Sequence, residues 1–101
     1  MRDQLLLDIA MNLTRIGNWA ADDFIGKQKR IETFLKQTND YLEKLPIHTY
    51  PPRLQKTLDA FRLNYDKLTD EARRKPEDSL RFAEAMMTWG NILTHRANIT
   101  A

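Results

Sequence analysis

Residues 51–76 read PPRLQKTLDAFRLNYDKLTDEARRKP, and this stretch decides the fold class. Leu54, Leu58, Phe61, Tyr65, Leu68 and Ala72 recur at intervals of 4, 3, 4, 3 and 4. That period puts all six on one narrow stripe of an α-helix, the seam of a coiled-coil-like bundle. Pro51 and Pro52 precede the stripe and suit a first helical turn, where missing N–H groups cost little, and Thr49 is a candidate N-cap. At the far end Arg73, Arg74 and Lys75 stand where the helix dipole is negative. Pro76 then opens the next helix, with Glu77 and Asp78 in its first turn, where the dipole favours acids. A joint this short, near residues 74–76, makes the two helices antiparallel neighbours.

Beyond that joint, Phe82, Met86, Trp89 and Leu93 form one stripe at spacings of 4, 3 and 4. Ala83, Met87, Gly90, Thr94 and Ala97 form a second, adjacent stripe of mostly small residues, and Ile92 lies on a third side. A helix apolar over more than half its circumference is central or touches two neighbours. Gly90 costs about 1 kcal/mol against alanine in a helix interior, a cost that a close helix crossing justifies. Two readings of this helix follow. One is a core helix. The other is a partner face of Phe82, Met86, Met87, Trp89 and Leu93, since methionine adapts to irregular surfaces and tryptophan anchors interfaces.

On the N-terminal side, Leu6, Ile9, Leu13, Ile16 and Ala20 keep the helical period, and Ile31, Leu35, Thr38, Leu42 and Leu45 keep it again, out of strict heptad phase with the first set. A break at Gly17-Asn18 accounts for this, with Gly17 ending one helix, Asn18 capping the next and Asp22-Asp23 in its first turn. The fold is then an all-α, antiparallel bundle of four helices in a single domain over residues 1–101. The alternative is three helices with one long N-terminal helix over 2–45, running about 65 Å at 1.5 Å per residue, with a stutter at Phe24. Such a rod leaves half its stripe without an intrachain partner and demands a dimer. The one substantial loop spans residues 46–52, and its Ile47 and Tyr50 are expected to fold onto the bundle end.

Composition narrows the function classes. The chain has 101 residues, 42% hydrophobic and 30% charged, as in ordinary globular domains. A domain of this size has a thin core that a partner subunit would help. It has no cysteine, which removes disulfides, thiolate metal sites and cysteine nucleophiles. Leu5-Leu6-Leu7, closed by Asp8, is too short for a signal-peptide core, and no apolar run approaches a membrane span, so a cytoplasmic location and no membrane partner are expected.

No arrangement of reactive residues is legible. Asp22-Asp23, Asp70-Glu71 and Glu77-Asp78 are sequence neighbours, so on a helix they point about 100° apart and form no acid dyad. His95 has Asn91 one turn before it and no acid, and His48 lies in the loop, so neither a di-iron nor a zinc pattern forms. No phosphate-binding glycine loop or nucleophile motif occurs. No catalytic, cofactor-binding or metal-ligating residue is assigned, and no cofactor is expected.

Charge is nearly balanced, 16 basic against 14 acidic residues. Residues 1–50 carry seven of each sign, and 51–101 carry nine basic and seven acidic. The basic clusters supply candidate polyanion contacts at Lys27, Lys29, Arg30, Arg73, Arg74 and Lys75, punctuated by Glu32, Asp70, Glu71 and Glu77, with no recognition helix or aromatic stacking platform beside them. The sequence therefore reads as a non-catalytic protein-interaction or assembly module that self-associates, a dimer being favoured. A weakly basic nucleic-acid-binding protein or regulator is the alternative.

Overall fold

The computed structural model describes residues 3–99 and contains four α-helices, with no strand among the described residues. They are α1 (Gln4–Asp23), α2 (Gln28–Lys44), α3 (Pro52–Arg74) and α4 (Ser79–Ile99). Residues 1, 2, 100 and 101 of the expected domain lie outside the described residues. The all-α, four-helix reading is the observed one, and the alternative of one helix over 2–45 is not.

Each helix packs antiparallel to the next, and α4 returns to α1. Asn12 on α1 donates its side-chain amide to the Gln37 side chain at 3.0 Å and to the Thr38 hydroxyl at 3.3 Å on α2. The Tyr65 hydroxyl on α3 donates to the Leu35 carbonyl on α2 at 3.0 Å. Between α3 and α4, the rings of Phe61 and Trp89 stand 5.3 Å apart. α1 and α4 approach most closely. A β-carbon on Gly17 would lie 2.7 Å from Met87 Cγ and 3.0 Å from the Ala83 carbonyl oxygen. On the facing helix, a β-carbon on Gly90 would lie 2.7 Å from the Thr14 hydroxyl and 3.2 Å from the Ala10 carbonyl oxygen. The close crossing expected of Gly90 is therefore present.

Gly17 also explains where the chain does not break. The expected break at Gly17-Asn18 is replaced by a turn over residues 24–27. Gly17 is buried in mid-helix, serving close approach and not chain reversal, and Asn18 is exposed on the same unbroken helix. Asp22 and Asp23 accordingly end α1 and do not begin α2. The Asp23 carboxylate accepts from the Gly26 N–H at 3.0 Å, which stabilises the turn. Asp3 caps the start of α1, accepting from the Leu6 N–H at 3.0 Å.

Two further helix starts differ from expectation. Thr49 does not cap α3. It lies in a 3₁₀ turn over Ile47–Thr49, and its hydroxyl donates to the Pro46 carbonyl at 2.7 Å. Pro52 itself occupies the first turn of α3, and Gln55 donates to the Tyr50 carbonyl at 2.8 Å. Pro76 does not open α4. It is buried in the joint, and Asp78 is the cap, accepting from the Arg81 N–H through its carboxylate at 3.0 Å and from the Phe82 N–H through its carbonyl at 3.1 Å. α3 ends instead at Lys75, whose N–H donates to the Ala72 carbonyl at 3.3 Å and whose φ of 68° turns the following chain out of the helix.

One core runs through all four helices. All six residues of the seam read in residues 54–72 are buried, as are the five of each N-terminal stripe. Tyr50 is buried and Ile47 packs against the core, so the loop does close one bundle end. Tyr50 also donates its hydroxyl to Asp3, joining that loop to the start of α1. Thr38 and Asn12, the buried polar side chains, are hydrogen-bonded to each other, so the polar pair carries no orphaned donor.

Candidate functional site

The apolar partner face expected on α4 is turned inward. Phe82, Met86 and Leu93 are fully buried, and the ring of Phe82 meets that of Phe24 edge-on at 5.7 Å. Met87 is half-buried over Gly17, and Trp89 is half-buried against Phe61. The breadth of the apolar surface is used inside the chain: one side faces α1 and the other faces α3. The stripe of α1 is buried in the same core.

The basic clusters are redistributed by the fold. α3 runs antiparallel to α2, so its last turn lies beside the first turn of α2. This brings Lys29 and Arg73 to one groove of about 550 Å³ between the two helices, and Lys36, two turns along α2, joins them. Buried Leu35 and Ala72 form its apolar floor, Asn39 supplies an amide, and the Thr33 and Thr69 hydroxyls beside it already donate to the Lys29 and Tyr65 carbonyls at 2.9 Å. Glu32 is the acid that lines it. Among the described residues none of Lys29, Lys36 and Arg73 makes an ion pair.

The other candidate contacts go elsewhere. Lys27 pairs with Asp22, whose carboxyl is held below the usual carboxylate range by that hydrogen bond and charge. Arg74 pairs with Asp70 on its own helix at 3.1 Å. Lys75 lines a smaller depression, of about 390 Å³, at the α3–α4 joint that Asp70, Glu71 and Glu77 share. Arg30 leaves the groove and lies over the Trp19 ring, 5.3 Å from its centre.

That last contact belongs to a feature the sequence reading missed. On the opposite flank of α2, Trp19 meets Phe34 edge-on at 4.9 Å, and Arg15 stands 6.0 Å from the centre of the Phe34 ring. The result is a column in the order Arg30, Trp19, Phe34, Arg15, with half-buried rings and exposed arginines. An aromatic platform flanked by cations is therefore present where none was expected. Its signal was available: Arg30, Phe34, Gln37 and Tyr41 repeat at helical spacing one position before the core stripe of α2, and Arg15 and Trp19 are one turn apart on α1. Lys36, Asn39 and Thr69 were likewise unassigned, because nothing local distinguishes them from other polar helix residues.

Two tyrosines among the described residues are shifted away from their charged form. The Tyr65 phenol is pushed above its ordinary value by burial, and Tyr50 is pushed up by burial and by its hydrogen bond to Asp3, so both remain neutral at physiological pH. His48 and His95 are exposed, and among the described residues no group of three or more histidines, aspartates or glutamates converges. No helix among the described residues is long and apolar enough to cross a membrane. What the arrangement can do chemically is hold negative charge in the α2–α3 groove and stack planar groups on the α1–α2 flank. Compared with known proteins, the chain matches no family model, no curated protein and no solved structure at a significant level.

Proposed function

We propose that this chain is a non-catalytic binding module that holds a polyanion, single-stranded nucleic acid, on a basic face centred on α2. The observation that carries the reading is the convergence of Lys29, Lys36 and Arg73 on one groove without ion pairs. A net charge of only +2 does not argue for such a partner. The distribution does: acids at Asp22, Asp66, Asp70 and Glu71 neutralise cations elsewhere and leave these three available. The Asn39 amide among the cations suits phosphate oxygens, and the aromatic flank suits strands whose bases are unpaired.

Fluorescence anisotropy with a labelled 12-nucleotide strand tests this. With three to five phosphate contacts, affinity is expected to fall roughly tenfold to a hundredfold between 50 and 200 mM salt. The combined variant Lys29→Gln, Lys36→Gln and Arg73→Gln is expected to remove most of the affinity while keeping the helical circular-dichroism spectrum. Absence of binding at 50 mM salt by the unaltered protein sinks the proposal.

Self-association is a second reading, supported at a different place. Ile25 is 62% exposed and Leu80 61% exposed, and both lie at the bundle end where Phe24 meets Phe82. Sedimentation at about 100 µM tests it. A dimer that Ile25→Asp or Leu80→Asp dissociates supports this reading, and a strict monomer removes it.

A further inference from the structure

We infer that Arg15 and Arg30, each laid against an aromatic ring, are base-stacking residues that make the module select unpaired bases over bare polyanions. The inference rests on the nucleic-acid reading above but on a different set of contacts. The arginine-aromatic column contains no acid, and neither arginine makes an ion pair among the described residues. Both guanidinium groups are exposed, while the rings beneath them are half-buried and locked edge-to-face.

Arg30 stands 5.3 Å from the centre of the Trp19 ring and Arg15 6.0 Å from that of Phe34, and both arginines remain exposed. A base that stacks on such a guanidinium meets a cation already held near a ring, so less side-chain freedom is lost than on an arginine with no neighbour. Bases stack on guanidinium planes as well as on aromatic rings, and this is the usual means of holding splayed-out single strands. The geometry also places the two kinds of contact on opposite flanks of one helix. Arg30 faces α1 and its sequence neighbour Lys29 faces α3. A strand lying along α2 then has phosphates on the groove side and bases toward the column. Duplexes, whose bases are stacked on each other, gain only the phosphate contacts.

The test separates charge from stacking. In a Trp89→Phe background Trp19 is the sole tryptophan, and its emission is followed while adding either a 12-nucleotide single strand or inorganic polyphosphate of equal charge. The single strand is expected to quench or shift Trp19 emission and polyphosphate to leave it unchanged. The double variant Arg15→Lys and Arg30→Lys keeps both charges and removes both planes. It is expected to lose about tenfold or more in affinity for the single strand, with polyphosphate affinity and salt slope unchanged. Equal losses for both ligands, or unchanged affinity for the strand, overturn the inference while leaving polyanion binding intact. Failure of the unaltered protein to bind either ligand removes both readings together.

Discussion

Gly90 of α4 lies directly against Thr14 of α1, so that a β-carbon on the glycine would stand 2.7 Å from the threonine hydroxyl oxygen. Thr14 donates that hydroxyl to the Ala10 carbonyl at 3.2 Å, and the same carbonyl oxygen would be 3.2 Å from the new carbon. Gly17 repeats the relationship in reverse, against Met87 and the backbone of Ala83. Alanine at either position gains about 1 kcal/mol of helix propensity. It also forces apart two backbones that touch. Gly17→Ala and Gly90→Ala are therefore each expected to lower stability, by about 1–3 kcal/mol net of that gain. Urea unfolding followed by circular dichroism measures this, and stabilisation by either variant contradicts the close-packed crossing.

Phe61 and Trp89 share a ring contact but not an environment. Phe61 is fully buried and Trp89 only half-buried. Phe61→Ala is expected to cost about 3–5 kcal/mol and Trp89→Ala clearly less, about 2 kcal/mol. Leu58, 3% exposed in the same seam, tolerates no charge, and Leu58→Asp is expected to prevent folding. Equal costs for the two aromatic truncations, or a folded Leu58→Asp, contradict the packing described.

Alkaline pH is expected to destabilise the bundle through Tyr65. In the unfolded chain a tyrosine ionises near pH 10, whereas burial raises the folded value above this. The folded state therefore keeps its proton above pH 10 and the unfolded state releases it. The contribution is fully present below about pH 10 and is lost as pH rises beyond it. Tyr65→Phe is expected to cost about 1 kcal/mol at pH 7, through the lost hydrogen bond to Leu35, and to flatten the decline between about pH 9.5 and 11. Tyr50, shifted in the same direction, leaves part of the slope. Urea midpoints across that range check it, and a slope unchanged by Tyr65→Phe refutes it.

Glu32 is the acid in the α2–α3 groove, and the polyanion reading requires that it oppose binding. Glu32→Gln is expected to raise oligonucleotide affinity severalfold at 50 mM salt. Arg74→Ala, which removes a cation already paired with Asp70 outside the groove, is expected to change it little. Affinity insensitive to Glu32→Gln, or lost with Arg74→Ala, shifts the binding surface away from this groove.

Lys75 is the non-glycine residue with positive φ among the described residues. Glycine occupies that conformation without a β-carbon penalty, so Lys75→Gly is expected to stabilise the protein by about 1 kcal/mol. Oligonucleotide binding is expected to persist, because Lys75 does not line the groove. A loss of stability on thermal or urea unfolding refutes the assigned strain.

Much of this architecture is written in local periodicity. A buried stripe must return every three or four residues whatever the helix packs against, so the positions of Leu6 to Ala20, Ile31 to Leu45 and Leu54 to Ala72 are legible one helix at a time. The roles of Gly17 and of Asp22-Asp23 are not. A glycine serves equally to turn a chain and to let two helices touch, and an aspartate closes a turn as readily as it begins a helix. Only the approach of α4 distinguishes the two for Gly17. The candidate site depends on tertiary structure still more. Lys29 and Arg73 are 44 positions apart in the chain, and Trp19 and Phe34 belong to different helices. Sequence determined which faces are apolar, because hydrophobicity belongs to each residue and its helical period to the chain alone. Which cations and rings meet was decided by helix pairing, because contact is a property of two residues that neither encodes alone.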